Sequence, residues 1–177
     1  MAKDKIFITG FMGSGKSTIG KKLAKKLGYN FIDTDDVLEA KFHKEIRQIF
    51  ADEGEDWFRK QEEKEIFQIS KIEGNKIISL GGGALMSEKT LKRIKSLGIL
   101  IYIKSSPENI YNRIKHSTRR PLLRSEGENL SREQYMEKIA GLLSVRETGF
   151  LAADIIYDRD GQDASDCAEK IKYLIKK

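Results

Sequence analysis

The feature that most constrains this chain is a glycine-rich loop near its N-terminus. The stretch Gly10-Phe11-Met12-Gly13-Ser14-Gly15-Lys16-Ser17 fits the pattern G-x-x-x-x-G-K-[ST] without a mismatch. It follows the apolar run Ile6-Phe7-Ile8 and precedes apolar residues at helical spacing, which predicts a loop between a strand and a helix. Its glycines let the backbone N–H groups wrap an anion, and the helix N-terminus adds partial positive charge. The loop therefore predicts a nucleotide-phosphate site, with Lys16 reaching the β- and γ-phosphates and the Ser17 hydroxyl on Mg²⁺.

Short apolar runs alternate with longer helical patterns along the rest of the chain. The remaining strands are predicted at residues 30–32, 76–80, 99–103 and 154–157. Between the second and third strands we predict two helical stretches, around Ile46–Phe50 and from Asp56 to Ile72, and a later helix from about Ser131 to Arg146. Strands separated by helices favour right-handed crossovers. The prediction is an α/β protein, a three-layer P-loop NTPase fold with a five-stranded parallel sheet flanked by helices.

Composition narrows the class of protein without choosing its ligand. The 177 residues suit one domain, and 33 Lys+Arg against 27 Asp+Glu give a formal charge of +6, which favours anionic partners. Those partners could be a nucleic-acid backbone or phosphates and a carboxylate held in a cleft. Cys167, the single cysteine, falls on the apolar face of the last helical pattern and is expected to be a small buried hydrophobe. No secretory signal or membrane-spanning run is visible, so we expect a cytoplasmic protein.

Motifs of other P-loop classes are missing from the sequence. A GTPase switch would need a guanine-reading Asn-Lys-x-Asp, which the chain lacks. Asp158-Arg159-Asp160-Gly161 does match the D-x-x-G of GTPases, but it follows the last strand and is interpreted as a turn. The motif pattern favours a small-molecule kinase.

Asp33-Thr34-Asp35 follows the second predicted strand. Residues two apart in an extended chain point the same way, so both aspartates could share the carboxyl edge of the sheet, where open α/β sheets bind ligands. One carboxylate could order the waters of Mg²⁺ while the other accepts a hydrogen bond from an attacking hydroxyl. Asp36 is expected to point elsewhere and to cap the following helix, and capping is also the plain alternative for the pair.

Further elements occur in a fixed order along the chain: Phe58-Arg59 followed by Glu62, then Gly81-Gly82-Gly83, Arg120-Pro121-Leu122-Leu123 and Arg146. With the glycine loop through Thr18 and the aspartates, they resemble the shikimate kinase family. The resemblance implies a nucleoside-monophosphate-kinase-like fold with a mobile lid, transferring the γ-phosphate of ATP to the 3-hydroxyl of shikimate with Mg²⁺. It also implies a single domain over 1–177, with its core in 1–33, 75–114 and 150–177, a substrate-binding region at about 34–62 and a lid at about 113–126.

The resemblance implies a role for each matching residue. The nucleotide would be bound by Gly13, Ser14, Gly15, Lys16, Ser17 and Thr18, with Arg113 packed on adenine and Arg120 reaching in from the lid. Asp33, through water, would join Ser17 at the metal, while Asp35 would hold the substrate hydroxyls and is the candidate base. Lys16, Asp35 and Arg120 are thus the catalytic candidates, with Arg120 neutralising charge on the transferring phosphoryl group; Arg119 is the neighbour most easily confused with it.

Arg59 and Arg146 match the positions that clamp the substrate carboxylate in the family. A guanidinium suits this task because it donates two parallel hydrogen bonds in a fixed orientation. The plain alternative for Arg59 is a pair with Glu62 or Glu63 on its own helix. Gly81, Gly82 and Gly83, chiefly Gly82, would let the substrate ring lie against bare backbone, although a strand-to-helix turn would also use glycines. After Arg146 the chain reads Glu147-Thr148-Gly149-Phe150, where the family continues x-Pro-x-Tyr.

Two other functions are alternatives to this one. Another small P-loop kinase, such as a gluconate or nucleotide kinase, would share the phosphate loop. A nucleotide-gated protein associated with nucleic acid would use the basic charge, but no aromatic stacking motif is interleaved with the basic residues. We therefore expect ATP and shikimate as ligands, no nucleic acid, no membrane and a monomer.

Overall fold

The computed structural model describes residues 4–115 and 130–176. Within these ranges the chain forms five strands, eight α-helices and one short 3₁₀ helix. They are β1 Lys5–Thr9, α1 Lys16–Leu27, β2 Asn30–Asp33, α2 Thr34–Phe42, α3 Ile46–Glu53, α4 Glu55–Lys71, β3 Lys76–Ser79, the 3₁₀ helix Ala84–Met86, α5 Glu88–Leu97, β4 Gly98–Lys104, α6 Pro107–Ile114, α7 Arg132–Leu151, β5 Ile155–Asp158 and α8 Ala164–Ile175.

All five strands are parallel and lie in the order β2-β3-β1-β4-β5. Side chains alternate between the two faces of the sheet, as the two-residue period of a strand requires. On β1, Ile6 and Ile8 pack with α1 and α8, whereas Phe7 packs with α4, α5, α6 and α7. The sheet is therefore covered on both faces, and the three-layer α/β prediction is confirmed.

The centre of the sheet places two loops side by side. β1 pairs with β3, and Ile8 lies opposite Ser79 in that register. The glycine loop after β1 and the glycine triplet after β3 therefore emerge next to each other at the carboxyl edge. Strand β2 lies on the other side of β3, with Asp33 opposite Ser79, and brings the aspartates to the same edge.

The segment between β2 and β3 differs from the prediction, because it holds three helices rather than two. β2 ends at Asp33 and α2 begins at once with Thr34, so Asp33 and Asp35 are not two residues of one extended stretch. The helix is capped by Asp33, whose side chain accepts a hydrogen bond from the Asp35 N–H, and not by Asp36. The expected role of Asp36 was wrong because the helix begins three residues earlier than its position as a cap would require.

Helices α2, α3 and the first half of α4 enclose a small apolar cluster separate from the two clusters on the sheet. Its buried members are Leu38, Ile49 and Phe58. Four partly buried residues pack against it: Phe42, Ile46, Phe50 and Trp57. This part of the molecule thus has a core of its own.

Helix α7 continues past the predicted end near Arg146 to Leu151. Gly149 lets this last part of α7 lie close to the 3₁₀ helix, because a Cβ there would lie 2.8 Å from the Leu85 carbonyl oxygen. Phe150 then stacks on Tyr102 of β4 with ring centroids 4.9 Å apart. Without a proline after Arg146, the helix carries that arginine on a continuous turn packed against the sheet.

Two minor predictions are confirmed. Cys167 is buried in α8, and the residues after β5 form a turn before Asp163, which caps the N-terminus of α8. In the part of the chain covered by the structure, no helix is both long and apolar enough to cross a membrane.

Candidate active site

The glycine loop forms one wall of a cavity of about 450 Å³. Gly15 caps α1 with φ +91°, a left-handed conformation that glycine adopts without strain. The Lys16 ammonium donates to the carbonyl oxygens of Gly10 and Phe11, at 2.9 and 3.1 Å, and so lies over the loop. The cavity is lined by Gly13, Gly15, Lys16, Ser17 and Thr18, and also by Arg113 and Arg159. Ser14 of the loop is fully buried and is not among the lining residues.

Ser17 and Asp33 meet at the floor of this cavity. The Ser17 hydroxyl donates to Asp33 Oδ2 at 2.5 Å, and Asp33 is only 8% exposed. A hydroxyl and a carboxylate oxygen beside a phosphate site are the hard oxygen donors that Mg²⁺ accepts, while the metal keeps several waters. The residues therefore fit a magnesium ion held jointly with nucleotide phosphates. No cluster of three or more His, Cys, Asp or Glu side chains forms a metal cage of its own among residues 4–115 and 130–176.

A second cavity of about 220 Å³ adjoins the first. The two share Ser17, Asp33 and Asp35 as lining residues. Every residue predicted to bind the acceptor lines this second cavity: Asp35, Arg59, Gly81, Gly82, Gly83 and Arg146. The Gly81 N–H donates to Thr34 Oγ1 at 3.0 Å, which ties the glycine triplet to the start of α2. Asp36 also lines this cavity, contrary to the expectation that it points elsewhere.

Arg59 reaches the cavity from α4 while paired on its own helix. Its Nη1 donates to Glu62 at 2.7 Å, and its Nε and Nη2 donate to Glu55 at 3.2 and 3.0 Å. The helix-pair alternative is therefore correct for Glu62, although the second partner is Glu55 and not Glu63. Burial lowers the pKa of Arg59, but the two carboxylates outweigh it and raise the pKa above its ordinary value. The pairs hold the guanidinium in the cavity wall as a permanent cation.

Glu62 is a buried carboxylate behind the glycine triplet. It is 1% exposed, and burial raises the pKa of its carboxyl, although the charge of Arg59 lowers it in part. Its Oε1 has no hydrogen-bond partner within the described ranges and lies against the open side of Gly81. The carboxylate thus sets the position of Arg59 at the cost of its own desolvation.

Arg146 is the strongest indication of an anionic ligand. It is 5% exposed, and its guanidinium lies 5.7 Å from the centroid of the Phe11 ring. Across residues 4–115 and 130–176 it makes neither an ion pair nor a hydrogen bond. Burial lowers the pKa of Arg146, and the like charge of Arg59 lowers it further. The carboxylates of Glu55 and Glu62 offset only part of this effect, and a buried cation whose charge is not fully balanced is costly, which favours an anion between the two arginines.

The three glycines are not equivalent. A Cβ on Gly83 would lie 2.5 Å from the Arg59 guanidinium, and one on Gly81 would meet Asp35 Oδ1 at 3.0 Å and collide with Glu62. At Gly82 the nearest atom would be Arg146 Nη1 at 3.5 Å, an ordinary contact. A side chain at 81 or 83 would therefore have to displace Glu62 or Arg59, whereas at 82 bare backbone leaves room beside Arg146.

Several lining residues were not predicted from the sequence. Ile46, Phe50 and Phe58 form an apolar wall of the acceptor cavity, and Arg47 lies beside them. Phe58 adjoins Arg59 in the sequence, and this adjacency was the one signal that could have placed Phe58 in the site. Arg159 lines the nucleotide cavity, but it was hidden inside a stretch interpreted only as a turn.

Arg113 also lines the first cavity. Its Nη1 donates to the Gly13 carbonyl oxygen and to Ser105 Oγ, both at 3.3 Å. Burial lowers the pKa of Arg113, and the charge of Arg159 lowers it further. Arg119, Arg120 and the lid beyond Lys115 lie outside the described residues.

The strand, glycine loop and helix, joined to a carboxylate-lined acceptor cavity, define a P-loop protein with the architecture of a small-molecule kinase. A family model described as shikimate kinase matches residues 12–176. The chain belongs to the shikimate kinase family.

Relatives and solved structures agree with this placement. The shikimate kinase of Chlorobaculum tepidum is 43% identical over 173 residues, which cover 97% of this chain and 90% of that protein. The structure of the shikimate kinase from Acinetobacter baumannii in complex with shikimate has a TM-score of 0.89 and 31% identity, covering 97% of this chain and 92% of that one. A gluconokinase from Sinorhizobium meliloti, 14% identical with a TM-score of 0.58 over 99% of this chain and 94% of that one, is similar in fold alone.

Proposed function

We propose that this chain transfers the γ-phosphate of ATP to the 3-hydroxyl of shikimate, a step towards chorismate and the aromatic amino acids. One observation carries the proposal: the phosphate-loop cavity and the arginine-lined cavity share Asp33, Asp35 and Ser17. A donor phosphate and an acceptor hydroxyl would therefore meet at Asp35. Membership of the shikimate kinase family supports shikimate as that acceptor.

The acceptor cavity suits a small carboxylated ring. Arg59 and Arg146 supply the cations for the carboxylate, and Ile46, Phe50 and Phe58 supply an apolar face. Gly82 leaves backbone against which a ring can lie. Asp35 would then hold the hydroxyl groups opposite the carboxylate, so the ring is fixed at both ends.

Positioning and charge neutralisation would supply most of the rate. In a loose phosphoryl-transfer transition state the nucleophile has lost little of its proton, so Asp35 need only orient the hydroxyl and accept the proton late. Lys16 would leave the carbonyl oxygens of Gly10 and Phe11 for the β- and γ-phosphates. Mg²⁺, bound by Ser17 and through water by Asp33, would neutralise charge on the phosphates. Arg120, from the lid, is proposed as the further cation on the transferring group.

The proposal is tested by a coupled assay of ADP release with Mg-ATP and shikimate. Gluconate and nucleoside monophosphates are the comparison acceptors, because a gluconate or nucleotide kinase would prefer them. Asp35→Asn is expected to lower kcat by at least about a hundredfold, in the range of positioned proton acceptors, while leaving ADP affinity unchanged. Absence of shikimate-dependent ADP release from the folded parent protein would contradict the proposal.

The remaining expectations are proposed with the same function. We expect a cytoplasmic monomer of one domain that depends on Mg²⁺ and does not bind polynucleotides. Chelation of divalent metal should abolish turnover, and Mg²⁺ should restore it. Sedimentation at assay concentrations measures the oligomeric state.

A further inference from the structure

Arg159 is a buried arginine in the wall of the nucleotide cavity. It follows β5 and is 9% exposed. Its Nη1 donates to the Ser14 carbonyl oxygen at 3.1 Å, and its Nη2 donates to the Gln162 carbonyl oxygen at 3.2 Å. One guanidinium thus ties the turn after β5 to the phosphate loop.

The charge of Arg159 has no carboxylate partner within residues 4–115 and 130–176. The neighbouring Asp160 accepts from Ser105 Oγ at 2.6 Å and from the Ser106 N–H at 2.8 Å. The Arg159 Nε is buried and has no acceptor in the same part of the chain. A desolvated cation is favourable only when an anion lies close to it. The cavity that Arg159 lines also contains Lys16 and Arg113, and its two carboxylates, Asp33 and Asp35, form no ion pair with Arg159 within those ranges, so the anion is expected to come from the ligand.

The hydrogen bond to Ser14 also orients the neighbouring N–H group. The Ser14 carbonyl and the Gly15 N–H belong to one planar trans peptide and point in opposite directions. When Arg159 holds the carbonyl on its own side, the Gly15 N–H is directed away from Arg159. A side chain at Gly15 would collide with the Arg159 guanidinium, so the contact depends on glycine at this position.

We propose that Arg159 is a positioning residue for the nucleotide polyphosphate, an inference that rests on the proposed ATP site. Arg159 fixes the Ser14–Gly15 peptide so that the Gly15 N–H is presented to a phosphate on the far side of that peptide. The guanidinium itself also lines the cavity, where its charge attracts the rest of the polyphosphate. This role differs from that of Arg113, whose predicted ligand is the adenine ring.

The test compares Arg159→Gln and Arg159→Lys with the parent by titration calorimetry, using Mg-ADP, inorganic tripolyphosphate and adenosine as probes. Arg159→Gln is expected to weaken ADP and tripolyphosphate by about ten- to a hundredfold, the range for hydrogen bonds involving a charged group, and to leave adenosine unchanged. In steady state the KM for ATP should rise by the same factor while the KM for shikimate stays constant. The affinity of Arg159→Lys for ADP and tripolyphosphate should lie between those of the parent and Arg159→Gln. One ammonium keeps the charge but does not reproduce the guanidinium fork that reaches both carbonyl oxygens.

Arg93→Gln is the matched control. It removes the same charge from α5, where the guanidinium lies 4.6 Å from the Phe67 ring centroid and lines neither ligand cavity. Its ADP affinity should equal that of the parent. The melting temperature of each variant shows whether it is folded, and Arg159→Lys carries the test if Arg159→Gln does not fold.

ADP affinity within twofold of the parent in folded Arg159 variants would overturn the inference. Equal losses for adenosine and tripolyphosphate would also overturn it, because they would make Arg159 a contact of the base. A lowered melting temperature with an unchanged KM for ATP would also overturn it, because Arg159 would then be a structural residue only. If the parent itself bound no ADP, the proposed function would fail, and that result is distinct from all three.

Discussion

Arg146 and Arg59 face the same cavity but differ in how their charges are balanced. Arg59 has two carboxylate partners, whereas Arg146 has the face of Phe11. Arg146→Ala is expected to weaken shikimate binding by about 2–5 kcal/mol, because the carboxylate would lose a desolvated charge partner. The same change removes a buried charge that Glu55 and Glu62 balance only in part, so the melting temperature of the unliganded protein should not fall in proportion. Shikimate titration and thermal unfolding measure the two effects, and an unchanged affinity would remove Arg146 from the substrate site.

Gly82 and Gly83 form a matched pair for testing the glycine triplet. Gly82→Ala should fold normally, since its Cβ meets nothing nearer than 3.5 Å, but it should weaken shikimate binding by at least about tenfold by filling space beside Arg146. Gly83→Ala should instead displace the Arg59 guanidinium, which lies 2.5 Å from the new carbon. Affinity for ADP serves as the control in both. Normal shikimate binding by Gly82→Ala would place the ring elsewhere.

Glu62 makes stability depend on pH in a predictable direction. Because burial raises the pKa of Glu62 in the folded state, its contribution is fully present below the unfolded pKa and is lost as the pH rises through the folded value. The free energy of unfolding of the parent, measured relative to Glu62→Gln, should therefore decline from about pH 4.3 upwards and then level off. Urea unfolding of both proteins across this range checks the sign. A relative stability that rises with pH would show that Arg59 outweighs burial.

At the scale of elements, α7 carries Arg146 to the site because a glycine lets it approach the 3₁₀ helix. Gly149→Ala places a methyl group 2.8 Å from the Leu85 carbonyl oxygen and should cost about 1–3 kcal/mol, with a raised KM for shikimate as Arg146 shifts. Gly141→Ala on the same helix is the control, because nothing lies within 4 Å of its Cβ. It should stabilise the protein by about 0.5–1 kcal/mol through helix propensity. Equal effects of the two substitutions would contradict this packing.

The elements that the sequence predicted well are those whose signals are local. The glycine loop and the apolar run of β4 can each be recognised from a few consecutive residues. Helix α2 was missed because its buried side chains are only Thr34 and Leu38, too few to display a helical period. The Asp33-Thr34-Asp35 pattern suggested an extended stretch at the place where the strand turns into a helix, yet both aspartates still reach the cleft because α2 begins at the sheet edge.

Residues that reach the site through contacts distant in the chain could not be predicted from the sequence. Arg159 meets Ser14 across 145 positions of chain, and no local pattern marks that contact. The apolar wall of Ile46 and Phe50 depends on how α3 folds over α4. Pairing of Arg59 with Glu55 required the helix start at Glu55, one residue before the predicted boundary.

For the whole molecule, Trp57 offers a reporter of acceptor binding. It packs edge-on against Phe42 of α2 at 5.1 Å between ring centroids, and it lies two residues before Arg59. Shikimate without nucleotide should change its fluorescence, because occupation of Arg59 alters the packing of α4 against α2. Arg59→Ala provides the control, in which the response should vanish. A flat titration of the parent at saturating shikimate would count against Arg59 as a contact.

The small apolar cluster of α2, α3 and the first half of α4 implies that the protein loses its two ligand sites at different temperatures. Few buried side chains secure that cluster, whereas the glycine loop stands on the two larger clusters of the sheet. Regions with fewer buried contacts open at lower free energy. Mild warming should therefore leave a molecule that still binds ADP after it has lost its affinity for shikimate.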